Sequence, residues 1–159
     1  MRRWLPLGLA TAATAAVAAV SLLFTPATPA AADDIPPVAV EDFAYPNADQ
    51  IYADTGIRLI SGDGNILLAD CGATGLIEVW ARGRTDRICF SVKGDSGRIA
   101  LEVPQVYGIK GNDYEIVADM TVDGTETSYD ITPNSWTPVG ESADPEGRDH
   151  TLVELRATR

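Results

Sequence analysis

The stretch from Ile116 to Ile131 constrains this chain more than any other. At its centre stands Asp123-Gly124, the pair that best tolerates two successive left-handed residues and so closes a two-residue type I′ hairpin. With that loop, Val122 faces Thr125, Met120 faces Thr127, Ala118 faces Tyr129 and Ile116 faces Ile131. The opposite face carries Val117, Asp119, Thr121, Glu126, Ser128 and Asp130, so one face is expected dry and the other wet. A chain committed to such a hairpin needs more strands and a second layer to bury the dry face.

The sequence supplies them. Ile57–Ile60 and Ile66–Ala69 flank Gly62-Asp63-Gly64-Asn65, which reads as a hairpin loop. Leu76–Arg82 runs to Gly83, and Arg87–Lys93 follows, with Ile88, Phe90 and Val92 alternating against polar neighbours. Ile99, Leu101 and Val103 alternate next. A four-residue loop at Gly94–Gly97 would set Val92 against Ile99, Phe90 against Leu101 and Ile88 against Val103. Thr151–Thr158 is the last strand, after a polar loop from Pro138 to Asp149. About eight short strands at hairpin spacing predict an all-β fold, an antiparallel β-sandwich, with a partly closed β-barrel as the alternative. One short N-terminal helix is expected around Tyr45–Tyr52, with Asn47 as N-cap and Gly56 as its stop.

The N-terminal stretch does not fit that pattern. Arg2 and Arg3 precede an apolar run from Trp4 to Phe24, and Pro26, Pro29 and Ala30-Ala31-Ala32 follow. This order matches an export signal with a signal-peptidase site, so 1–32 is read as a signal peptide. The segment 33–40, with Pro36-Pro37, reads as an extended linker, and 41–159 as a single domain. Removing Arg2 and Arg3 with the signal makes the expected mature chain more acidic than the full sequence, whose net charge is already −11. Such a balance opposes binding to nucleic acid or anionic lipid, both of which need a basic face, and suits a monomer. No membrane span is expected after cleavage, because no second apolar stretch is long enough. In an exported chain, Cys71 and Cys89 are expected to form a disulfide.

Several residues invite a chemical reading. Gly94-Asp95-Ser96-Gly97 resembles the nucleophile motif of trypsin-like serine proteases. A serine nucleophile needs a base to take its proton and a group to orient that base. The only histidine, His150, follows Ser96, whereas in that family histidine and aspartate precede the serine; turn chemistry explains the same four residues. His150 is expected exposed, at the start of the last strand. Asp63 and Asn65 share one loop and Asp144, Glu146 and Asp149 another, but neither has the spacing of an EF-hand calcium loop. Two thiols and one distant histidine make no zinc set, so no metal and no cofactor are expected. Trp80 shares a strand face with Leu76 and reads as core. Trp136, in the loop-like run Pro133-Asn134-Ser135-Trp136-Thr137-Pro138, is the candidate ligand-binding residue, since an exposed ring there could stack on a sugar or anchor a protein.

The mature region resembles a group of small secreted actinobacterial proteins of unassigned function. The likeness rests on Tyr45-Pro46-Asn47-Ala48-Asp49, on Gly62-Asp63-Gly64-Asn65 followed by Ala69-Asp70-Cys71, and on Ile88-Cys89-Phe90. It continues through Ser96–Pro104 and Leu152–Arg156. It implies export and brings no catalytic residues. The expectation is therefore a secreted, extracellular, non-catalytic binding protein for a cell-envelope glycan or other carbohydrate. A protein-interaction or protease-inhibitor module is the alternative, through Gly94–Gly97 or Pro133–Pro138, and a small hydrolase comes third because no nucleophile–base pair assembles.

Overall fold

In this computed structural model the described residues are 43–159; the expected signal peptide, the linker and positions 41 and 42 lie outside them. One helix precedes ten strands in two five-stranded antiparallel sheets that pack face to face. The chain is a β-sandwich, and no closed barrel forms among these residues.

The helix α1 spans Ala48–Thr55 and ends at Gly56, whose φ of 69° lets its N–H reach the Tyr52 carbonyl at 2.8 Å. That left-handed cap is the role glycine performs best. Asn47 does precede the first turn, but with φ of 56° and no side-chain capping bond.

The strands are β1 Arg58–Gly62, β2 Ile66–Ala69, β3 Ile77–Ala81, β4 Ile88–Val92, β5 Ser96–Val103, β6 Val106–Lys110, β7 Glu115–Val122, β8 Thr125–Ile131, β9 Trp136–Pro138 and β10 Thr151–Thr158. One sheet has the order β1-β5-β10-β7-β8, the other β2-β4-β3-β6-β9. Alternation along each strand sends one set of side chains into the space between the sheets. Ile99, Leu101, Leu152, Leu155, Ile116 and Met120 come from the first sheet, and Ile66, Ile77, Val79, Phe90, Val106 and Ile109 from the second. Together they form one continuous core.

The β7–β8 hairpin has the expected register at all four pairs, with Asp123 at φ 50° and Gly124 at φ 76°. Two other expected hairpins are absent. β1 pairs with β5 and β2 with β4, so Gly62–Asn65 crosses from one sheet to the other. β4 and β5 likewise belong to opposite sheets, and Val92 does not pair with Ile99. The expected apolar faces are right, but they meet across the core rather than side by side in one sheet. Gly97 helps explain the outcome, because a Cβ there would stand 2.7 Å from Cγ1 of Ile66. Its absence lets the two crossings nest, with Lys93 N–H donating to Asn65 O at 2.9 Å and Asp63 N–H to Arg98 O at 3.2 Å.

Two strands exceed the eight expected. β6 contains Gly108, a poor strand former. β9 is a three-residue edge strand ending in proline, which an edge tolerates. Trp136 therefore lies in a strand rather than a loop.

Candidate functional site

The outer face of the second sheet carries Trp136 and an ion-pair cluster centred on Glu78. Its inward residues on β3 are Ile77, Val79 and Ala81, which turn Glu78 and Trp80 outward. Trp80 is half-buried and outside the core, a correction to its expected place: it alternates with the inward Val79 and Ala81, while Leu76 precedes the strand and is buried.

Strand pairing aligns a row across this face. Ala69 pairs with Cys89, Cys89 with Glu78, Glu78 with Lys110, and Lys110 with Trp136. Glu78 is the hub, with one carboxylate oxygen 2.9 Å from Lys110 Nζ and the other 2.6 Å from Arg87 Nε. Its side chain is largely sheltered while both cations are partly exposed, so the cluster is held in place and part of its charge remains presented to solvent.

Trp136 closes the row at the β9 edge. One edge of its indole lies against Gly108, so close that a Cβ on Gly108 would overlap Cζ2, Cε2 and Nε1 of the ring. Gly108 is the cross-strand partner of both Trp80 and Pro138. The glycine thus leaves room for that edge of the ring, and Trp136 keeps 48% of its surface open. An exposed aromatic ring held in place along one edge can stack onto a sugar face or a partner's apolar group.

Cys71 and Cys89 form the disulfide, with Cα atoms 5.4 Å apart. It ties the β2–β3 connection to β4 beside Arg87.

The other motif residues do not converge. Ser96 begins β5 and pairs with Thr158 at the far end of β10. His150 stands just before Thr151 at the near end, so the length of the strand, about 25 Å, separates them. No serine–histidine couple exists between them. His150 is not exposed: it retains 2% of its surface. Its Nδ1 donates to the Arg148 carbonyl at 2.9 Å, leaving Nε2 to accept from the Tyr129 hydroxyl at 3.4 Å. Burial raises the Tyr129 phenol above its ordinary value. Local sequence around His150 is polar and hides this burial, to which Tyr129 of β8 contributes beside the ring and Gly140 of the short 3₁₀ turn Gly140–Ser142 beside the Cβ.

In the later acidic loop, Asp144 accepts from Arg148 Nε at 2.8 Å, Nη2 at 3.1 Å and the Arg148 backbone N–H at 2.9 Å. Arg148 holds this carboxyl well below the usual range, and it also reaches Glu146 at 3.1 Å. Asp149 instead accepts from Gln105 at 2.8 Å. Asp63 accepts from the Asn65 N–H at 2.9 Å, an ordinary turn contact. The acids of both loops are engaged as hydrogen-bond and ion-pair partners.

Sequence reasoning does not single out Asp119 or Asn112. Asp119, expected on the wet face, keeps 4% of its surface because Arg156 and Ser128 cover it. Asn112 is buried at the β6–β7 crossing, donating to Gly75 O at 3.1 Å and accepting from the Tyr114 N–H at 3.1 Å. The polar surroundings of both residues conceal their burial.

No protein-family model matches this chain, and none of the curated proteins matches it either.

Proposed function

We propose that this protein is a non-catalytic, exported binding module that recognises a glycan of the cell envelope or another extracellular polysaccharide, with Trp136 as its stacking platform. The observation that carries this reading is the contact with Gly108: a tryptophan fixed by one edge of its indole against a bare backbone position, half open to solvent, at the rim of the sandwich. Stacking onto a sugar's C–H face needs an exposed aromatic ring, and the partly exposed Lys110 ammonium on the neighbouring strand supplies donors for ring hydroxyls. Export agrees with a disulfide of the kind that persists outside the reducing cytoplasm. Among the described residues no helix is long and apolar enough to cross a membrane.

A protein-interaction role is the second reading, since an exposed tryptophan also anchors protein interfaces. The Gly94–Gly97 candidate loop for inhibition is less suited to it. Tyr114 donates to the Gly94 carbonyl at 2.6 Å and Arg159 N–H to the Asp95 carbonyl at 2.9 Å, which draws the loop onto the body of the sandwich.

An array of immobilised glycans distinguishes these readings. Wild type is expected to bind one structural class, Trp136→Ala to lose that signal by about tenfold or more, and Trp136→Phe to keep part of it. An array on which wild type and Trp136→Ala behave alike overturns the glycan reading.

A further inference from the structure

The outer face of the first sheet carries a second feature, independent of what Trp136 stacks on. A cleft of about 480 Å³ opens between the end of α1 and that face, lined among others by Tyr52, Arg58, Glu102, Thr121, Thr151 and Val153. Its volume falls in the range of small-molecule sites, about 300–1,000 Å³. Four neighbouring strands supply its floor: Arg58 comes from β1, Glu102 from β5, Thr151 and Val153 from β10, and Thr121 from β7. Arg58 pairs with Glu102 and Thr151 with Thr121. Each of the four stands between two buried residues, which turns its side chain outward. The register of β10 shifts between Leu152 and Glu154 against both neighbours, a bulge that brings Val153 into the cleft beside Thr151.

The polar groups of the cleft are within reach of a ligand. Neither threonine hydroxyl has a hydrogen-bond partner among the described residues, and neither is closed off from solvent. Arg58 Nε and Glu102 Oε2 lie 3.0 Å apart, and both side chains are more than half exposed. A pair so exposed adds little to stability, so its remaining donors and acceptor can serve a ligand at small cost. The Arg58 guanidinium also lies over the Tyr52 ring, 4.6 Å from its centroid, while Tyr52 stays exposed. The cleft thus joins an aromatic ring and Val153 to two free hydroxyls and to a carboxylate and a guanidinium whose charges cancel.

We infer that this cleft binds a neutral sugar ring, a pyranose, with its C–H surface against Tyr52 and Val153 and its hydroxyls on Glu102, Arg58, Thr121 and Thr151. A sugar hydroxyl both donates and accepts, and the two threonines match both roles. Glu102 can accept from two adjacent ring hydroxyls through its two oxygens, and Arg58 can donate to a third. Tyr52 supplies the aromatic surface that an apolar sugar face packs on. The described residues carry nineteen acidic and ten basic side chains, so an anionic ligand meets a repulsive surface. The balanced pair in the cleft offers no net positive charge to offset that repulsion, which favours a neutral ligand.

Titrating the ¹⁵N-labelled protein with glucose, galactose and mannose tests this, by following the backbone amides of Thr121 and Thr151 by NMR. At least one of the three sugars is expected to shift both resonances saturably. Sorbitol, which has the hydroxyls but no ring face, is expected to bind at least about tenfold more weakly. Glu102→Gln and Tyr52→Ala should each weaken the productive sugar by about fivefold or more. Trp136→Ala should leave the response unchanged, which separates this cleft from the glycan site proposed on the second sheet. No saturable shift with any of the three sugars overturns the inference, and so does sorbitol binding as tightly as they do. It is overturned equally if Trp136→Ala abolishes the shifts, or if both cleft variants bind like wild type.

Discussion

A side chain on Gly108 would occupy the place of the Trp136 indole. Because the ring and the bare backbone define one another, the two positions are expected to be coupled. Gly108→Ala should lower stability by about 1–3 kcal/mol, the usual range for overpacking, and by much less in a Trp136→Ala background. A double-mutant cycle in urea checks this, and additive effects would mean the ring does not rest there. Asp144 gives a second residue-scale prediction, one of pH. Arg148 holds its folded-state carboxyl below the ordinary value of 3.8. The resulting stability is present above that value and is lost as pH falls through it towards the lower folded one. Asp144→Asn should therefore flatten the acid limb of the stability profile below about pH 4 and leave the shape above about pH 6 unchanged. Little of this is legible in the sequence. Trp136 stands out there because large aromatics among Asn, Ser and Pro are conspicuous, but its seat depends on a glycine of the neighbouring strand β6. His150 and Asp119 are buried by residues remote in sequence, which their polar neighbours conceal.

At the scale of elements, the difference between the two turn types decides what a sequence reveals. The β7–β8 register is legible because turn chemistry and alternation both act within one short run, Ile116 to Ile131. At Gly62–Asn65 and Gly94–Gly97 the same signals accompany a crossing between sheets. Alternation specifies which residues face inward, yet an inward face is satisfied equally by a neighbour in the sheet and by the opposing sheet. The ion pairs on the outer face of the first sheet sort by burial in the same way. Arg156 lies 2.9 Å from Asp119, whose side chain is 6% exposed, and also contacts Glu154 at 3.5 Å. Glu154 continues to Arg98 at 2.6 Å, so the network links β5, β10 and β7. Removing Arg156 strands a sheltered carboxylate with only Ser128 as partner. Arg156→Ala is expected to cost about 1–3 kcal/mol. Arg58→Ala breaks a pair whose two sides are more than half exposed and should cost no more than about 1 kcal/mol. Equal losses in chemical denaturation would refute this ranking.

For the whole molecule, the sandwich supplies a core of its own, and the disulfide adds to it by linking positions 18 residues apart, from the β2–β3 connection to β4. Loop-closure entropy makes that worth about 3 kcal/mol. Cys71→Ser with Cys89→Ser should lower the denaturation midpoint by a corresponding amount while leaving the far-ultraviolet β signature intact below the transition. Loss of that signature in native buffer would mean the core depends on the cross-link. With the inner face of the second sheet spent on the core, the proposed function rests on what its outer face presents. The decisive measurement is retention of the purified protein on isolated cell walls and insoluble polysaccharides, wild type beside Trp136→Ala, with matched thermal melts to establish that both are folded. Wild type is expected to be pelleted with at least one of these materials while folded Trp136→Ala stays in solution. Retention of both alike, or of neither on any material, would contradict a glycan-binding role for Trp136.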